Sequence, residues 1–233
     1  MAELIRFPDA VAQTAALTDL VARRLEMGIA ARGAASLVCS GGTTPAPVYD
    51  ALSHRTLDWS RVQVTGSDER WLAPSDPGSI DHLLHAHLFK DRAAAARFIP
   101  LKTADAEPEA AETEVHARLM AMPRPFDIVL LGMGPDGHTA SLYPGAPGLT
   151  QALDVADPTL ARAVRPVEAA GSSRRMSLTL RALLDSGMIV VFFRGEEKLK
   201  VYEAALVNSD PNVLPVSAVL NQASTPVQVF WAP

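Results

Sequence analysis

An α/β fold with a doubly wound, mostly parallel sheet and helices on both faces is predicted by three features of the sequence. Short apolar runs alternate with amphipathic stretches from end to end. The run Ile128-Val129-Leu130-Leu131 has no polar alternation, as expected of a strand covered on both faces. Glycine turns follow two of the predicted strands, at Ser40-Gly41-Gly42 and at Gly132 to Gly137. The 233 residues suffice for one substantial core, so residues 1–233 are read as a single Rossmann-like domain.

In chain order, Val11, Leu17, Leu20, Val21 and Leu25 recur at helical spacing over Asp9 to Met27, with Gly28 or Gly33 as the stop. Ala35 to Cys39 reads as the first core strand. Ser40-Gly41-Gly42-Thr43-Thr44-Pro45 follows and leads into a helix beginning near Thr44-Pro45. A glycine pair between strand and helix aims free amides and hydroxyls at one point, a common arrangement for phosphate. Pro45 suits the first helical position because its missing amide would be unpaired there anyway.

Arg61 to Ser67 is the next strand and ends in Asp68-Glu69-Arg70-Trp71. Such a charged run ordinarily marks a solvated loop, but this one sits at the carboxyl end of a strand, where open α/β sheets place ligands. Arg70 can fork onto a phosphate or carboxylate; Asp68 and Glu69 can serve as acid or base, or orient neighbouring donors. Ile80 to Phe89 reads as a helix, Phe98 to Leu101 as a short strand and Glu107 to Met120 as a charged helix. Ala161 to Pro166, Arg174 to Leu180, Met188 to Phe193 and Pro226 to Trp231 read as strands, the last closing the sheet. A helix runs from Arg194-Gly195-Glu196-Glu197-Lys198 to about Ala205.

The stretch Phe126 to Gly145 concentrates chemistry. Gly132, Gly134 and Gly137 permit positive φ and close approach of a ligand, and exposed amides in such a turn can hold anionic oxygens. His138 closes the turn with a side chain whose ordinary pKa lies near neutrality. The same glycines spell G-x-G-x-x-G, but a dinucleotide site needs a long helix after the last one, and Pro144 and Pro147 interrupt the chain.

Composition narrows the function classes. A net charge of −5 leaves no basic footprint for nucleic acid. No window approaches the length of a membrane span, and the N-terminus lacks a signal-peptide core, so the cytoplasm is the expected compartment. Cys39 is the sole cysteine, which excludes an intrachain disulfide and reads as a small core residue rather than a nucleophile. His82 and His85 share a helix face, yet no third ligand is in evidence and no metal is expected.

Taken together, SGGTTP (40–45), DERW (68–71), GMGPDGHTASLYPG (132–145) and RRMSLTL (174–180) resemble the 6-phosphogluconolactonase family, as does the GEEK segment around Lys198. The resemblance implies hydrolysis of 6-phospho-D-glucono-1,5-lactone in the oxidative pentose phosphate route, with no metal or organic cofactor. It implies His138 as general base and Gly41, Gly42, Thr43, Arg70, Arg175 and Lys198 as phosphate or substrate contacts. Asp68 is counted among the substrate-binding residues, and Asp136 with His138, fixing its ring or polarising the site. A monomer is the expected state, and a sugar-phosphate lactone the expected partner. The family's usual Ser-Asn pair after DER reads Ser79-Ile80 here, so Ser79 is left outside the site.

Two alternatives remain. Glucosamine-6-phosphate deaminases share the phosphate loop and the DGH turn, but resemble DEY and HIAFNEPG where this chain has Asp68-Glu69-Arg70 and residues 138–145. A non-catalytic sugar-phosphate sensor would keep the pocket and lack turnover. A serine hydrolase has no G-x-S-x-G elbow to support it.

Overall fold

A computed structural model describes residues 2–167 and 172–233. The elements are β1 (Glu3–Arg6), α1 (Ala10–Arg32), β2 (Ala35–Cys39), α2 (Ala46–Ser53), β3 (Val62–Gly66), β4 (Asp68–Arg70), α3 (Ile80–His87), β5 (Arg97–Phe98), α4 (Pro108–Met120) and β6 (Ile128–Leu131). There follow α5 (Leu149–Leu153), β7 (Ala161–Val164), β8 (Arg175–Leu178), α6 (Leu180–Leu184), β9 (Ile189–Arg194), α7 (Glu196–Val207), α8 (Val216–Leu220) and β10 (Val227–Ala232).

Seven strands form one parallel sheet in the order β1-β10-β9-β6-β2-β3-β5. Successive side chains of a strand point to opposite faces, so each apolar run feeds two cores. Leu37, Ile128 and Leu130 pack with α1 and α2, whereas Val38, Val129 and Leu131 join the core containing α4, α6, α7 and α8. This period-2 division explains why β2 and β6 show no polar alternation: both faces are covered.

Helix α1 starts where Asp9 accepts a hydrogen bond from the Ala12 amide at 2.8 Å and ends at Gly33, whose φ of 77° closes the last turn. It therefore extends through Gly28, the earlier of the two expected stops. Gly28 has a different task, because a Cβ there would lie 2.2 Å from the Asp127 carboxylate. That carboxylate accepts from the Ser36 amide at 2.8 Å and from Arg32 at 2.7 Å, fastening α1, β2 and the approach to β6 to one another.

Three expectations need correction. Arg174 to Leu180 and Ala161 to Pro166 do not enter the main sheet; β8 and β7 pair antiparallel with β4 in a separate sheet of order β4-β8-β7. The charged run Asp68-Glu69-Arg70 forms that partner strand, β4, with Asp68 and Glu69 buried. The final strand does not close the main sheet, because β1 pairs along its outer side. Pro45 precedes the first residue of α2, one place earlier than expected.

Alternation along β4 sends Glu69 away from its neighbours, to the start of α3. Its carboxylate accepts from the Ile80 amide at 2.9 Å, the Asp81 amide at 3.0 Å and the Ser79 hydroxyl at 3.2 Å. Burial nevertheless pushes this carboxyl up to about 7, helped by the charge of Asp68 and opposed by the three donors. The folded protein thus holds the proton to higher pH than the unfolded chain, whose glutamate titrates near 4.5. The stabilisation is complete below about 4.5 and is lost as pH rises through about 7. Urea unfolding of wild type and Glu69→Gln checks this: the stability difference, wild type minus variant, should fall between about pH 5 and about pH 8 by on the order of 3 kcal/mol. A difference independent of pH would contradict it.

Candidate active site

From β2 the chain builds β3 and β5 toward one edge, then returns to lay β6, β9 and β10 on the other side. The direction of winding therefore switches between β2 and β6, which are paired in register at Val38 and Val129. In an open parallel sheet the loops leaving such a pair diverge and open a crevice beyond the carboxyl ends. Here those loops are 40–45 and 132–138, the two glycine turns. Together with β4 and β8 they enclose a cavity of about 260 Å³.

Gly41, Gly42, Thr43, Asp68, Arg70, His138, Arg175 and Lys198 all line that cavity, and Asp136 stands behind it on the imidazole. Ser79 does not line it; it caps α3 by accepting from the His82 amide. Ile80 does, pressing on the glycine loop so closely that a Cβ on Gly41 would lie 2.8 Å from its side chain. An apolar wall thus occupies the position where the sequence resemblance expects asparagine.

The imidazole owes its place to glycine. A Cβ on Gly134 would lie 2.1 Å from His138 Nδ1, so no larger residue leaves room for the ring in this position. The Gly134 amide donates to the His138 carbonyl at 2.9 Å, and Thr139 Oγ1 donates to the Gly132 carbonyl at 2.8 Å, closing the turn. His138 Nδ1 lies 2.5 Å from Asp136 Oδ1, which also accepts from the His138 amide at 3.2 Å. Burial raises the Asp136 carboxyl, but the hydrogen bond and charge of His138 outweigh it and leave the group below its ordinary value. An ionised Asp136 accepts a hydrogen bond from Nδ1–H, which leaves Nε2 as the basic atom of the neutral ring.

The facing wall comes from the smaller sheet. Asp68 and Arg70, two residues apart, share the strand face opposite to Glu69. Asp68 accepts from the hydroxyls of Ser67 at 2.9 Å and Ser141 at 2.5 Å, with Arg175 Nη1 at 3.8 Å. Arg70 and Arg175 are direct partners across the antiparallel pair. Like charges in such register oppose pairing unless counter-charge lies near. Arg70 donates to the Gly78 carbonyl at 2.8 Å and Arg175 to the Ser172 carbonyl at 2.9 Å. Lys198 stands in the first turn of α7, its amine pushed down by burial against the pull of Asp136.

Sequence reasoning overlooked Tyr143, Ser141 and Ser177. Tyr143 lies inside the conspicuous stretch 132–145, but nothing in its spacing reveals that its ring stacks on His138. The serines gain meaning only once β8 pairs with β4: Ser177 Oγ accepts from the Ser141 amide at 3.2 Å, and Ser141 Oγ donates to Asp68.

Other candidates fall away. Burial raises the Cys39 thiol far above its ordinary value, against the chemistry of a nucleophile. His85 pairs with Asp81 and His87 with Asp50, and among the described residues no group of three side chains could hold a metal ion. The first helix after Gly137 is α5, five residues long, too short for a dinucleotide motif. No helix among the described residues is long and apolar enough to cross a membrane.

The family model for glucosamine-6-phosphate isomerases/6-phosphogluconolactonase matches residues 8–231. A 6-phosphogluconolactonase of Rhizobium meliloti is 44% identical over 227 residues, covering 97% of this chain and 96% of the relative. One from Mesorhizobium japonicum is 42% identical, covering 97% and 94%. The crystal structure of a 6-phosphogluconolactonase from Shewanella baltica superposes with a TM-score of 0.96 at 39% identity, covering 100% of this chain and 98% of the other. The chain belongs to the glucosamine-6-phosphate isomerase/6-phosphogluconolactonase family.

Proposed function

We propose that the protein hydrolyses 6-phospho-D-glucono-1,5-lactone to 6-phospho-D-gluconate, a step of the oxidative pentose phosphate route, and that it does so by general-base activation of water at His138. The observation that carries the reading is the shared cavity: an imidazole whose Nδ1 faces a carboxylate lies in one enclosure with a glycine loop and three cationic side chains. A cytoplasmic location goes with a phosphorylated substrate.

A δ-lactone is an ester, so its hydrolysis requires a positioned water, a base and donors for the developing oxyanion. His138 Nε2 takes a proton from water as the oxygen bonds to C1. The Asp136 carboxylate stabilises the imidazolium across the Nδ1–H bond. Collapse of the tetrahedral intermediate breaks the bond from C1 to the ring oxygen, and the imidazolium returns its proton to that oxygen. The dianionic phosphate provides binding energy remote from the reacting carbon, which orients the ring. Free amides of the loop at Gly41 and Gly42, the Thr43 hydroxyl, Arg70, Arg175 and Lys198 supply donors and charge for it.

Three outcomes are expected with freshly generated lactone, corrected for spontaneous opening. His138→Asn, folded by circular dichroism, should lose roughly 10²- to 10⁴-fold in kcat; retention of wild-type turnover would remove the base from the scheme, and ammonia release from glucosamine 6-phosphate by the wild type would favour the deaminase reading. Arg70→Ala should impair use of the phosphorylated lactone much more than of gluconolactone, whereas equal losses would deny Arg70 a role at the phosphate. Gly134→Ala should depress kcat by about 10²-fold through displacement of the ring, and a fully active variant would show that the imidazole position tolerates a methyl group.

A further inference from the structure

His138 is held by more than Asp136. The Tyr143 ring stacks on the imidazole with centroids 4.0 Å apart and planes inclined by 18°. The Arg175 guanidinium carbon lies 5.5 Å from the centroid of the same phenol ring. A single hydrogen bond at Nδ1, with the tether at Cγ, directs one edge of the imidazole but leaves the tilt of its plane to whatever packs on its faces. A flat partner against one face restricts this tilt.

The backbone between the two rings is arranged for the contact. Ala140 adopts φ 50°, the left-handed region that residues with a Cβ rarely enter, and Thr139 and Leu142 form a bridge across the reversal. Ser141 is buried at the apex and tied to Ser177 through its amide and to Asp68 through its hydroxyl. The chain thus doubles back within five residues and returns Tyr143 to the imidazole. Strain of this kind persists where surrounding contacts over-determine the conformation.

We propose that Tyr143 is a positioning residue for the reaction: its ring fixes the plane of the His138 imidazole, so that Nε2 meets the attacking water, and leans on Arg175 to do so. The inference rests on the lactonase reading and adds to it a residue that acts through the base. The phenol hydroxyl is dispensable in this role; the flat ring is not.

The test compares Tyr143→Phe with two non-aromatic variants of similar reach, Tyr143→Leu and Tyr143→Met, each checked for wild-type circular dichroism. Tyr143 is half-buried and packs at the edge of one core, so the circular dichroism and the leucine and methionine replacements together separate loss of the ring from loss of the fold. On phosphorylated lactone, Tyr143→Leu and Tyr143→Met should lose roughly 10- to 100-fold in kcat with KM within about threefold, as expected of a misplaced catalytic group. Tyr143→Phe should recover most of that loss. In a His138→Asn background, Tyr143→Leu should cost nothing further, because the ring acts only through the imidazole. Equal activity of the leucine and phenylalanine variants, an equal loss in both, a loss confined to KM, or an additive loss in the double variant would each overturn the proposal. Failure of the lactonase reading is distinguished by His138→Asn alone: if that variant turns over like wild type, the base assignment is wrong, whereas an inactive His138→Asn with an active Tyr143→Leu refutes only the stacking role.

Discussion

The pairing of β2 with β6 is the constraint on which the molecule depends. Both strands are buried on both faces, and winding changes direction between them, so their exits cannot be covered by a common crossover. At the entry side the opposite holds: Asp127 joins the Ser36 amide and Arg32 to the start of β6, and Gly28 lets the carboxylate reach them. The pair is clamped at one end and open at the other. A ligand site follows from the topology before any side chain is chosen.

The main sheet alone would give half a site, a glycine loop and an imidazole. The antiparallel strands β4 and β8 supply the rest, since their register sets Arg70 opposite Arg175 and Asp68 opposite Ser177. Arg175 and Asp68 are both almost fully buried. Removing two charges from water costs several kcal/mol each, and a pair recovers this only when its remaining hydrogen-bonding capacity is met. The hydroxyls of Ser67 and Ser141 on Asp68, and the Ser172 carbonyl on Arg175 Nε, meet part of it. A small hydrophobic contact would stabilise such a strand pair as well; the charges give the cavity wall its sign.

Legibility in the sequence followed the length and burial of each element. The apolar runs of β2, β6 and β9 announce themselves because both faces are covered, and α1 and α4 because their periodicity persists over several turns. β1 escaped notice because its four residues carry charge at both ends, and β4 because three charged residues read as a loop when their partner strand lies more than a hundred positions away. The cavity-lining residues with distinctive chemistry, from Gly41 to Lys198, could be picked out by type and place. Glu69 could not be separated from Asp68 until alternation along β4 sent one to α3 and the other to Arg175. Tyr143 and Ser141 were invisible because their roles are defined by stacking and by a contact between two sheets.

That contact decides how the two halves of the site are spaced. The imidazole hangs from the main sheet through Gly132 and the turn to His138, whereas Arg70 and Arg175 belong to the smaller sheet. Ser141 bridges them, with its amide on Ser177 of β8 and its hydroxyl on Asp68 of β4. Because Ser141 lies three residues beyond His138 and two before Tyr143, any shift of the smaller sheet is transmitted to the turn that carries the imidazole and to the ring stacked on it. The separation between the imidazole and the two arginines is therefore set by hydrogen bonds in a buried place rather than by flexible side chains at the rim. For the proposed lactone, which would reach both ends at once, a fixed span would convert phosphate binding into placement of the reacting carbon.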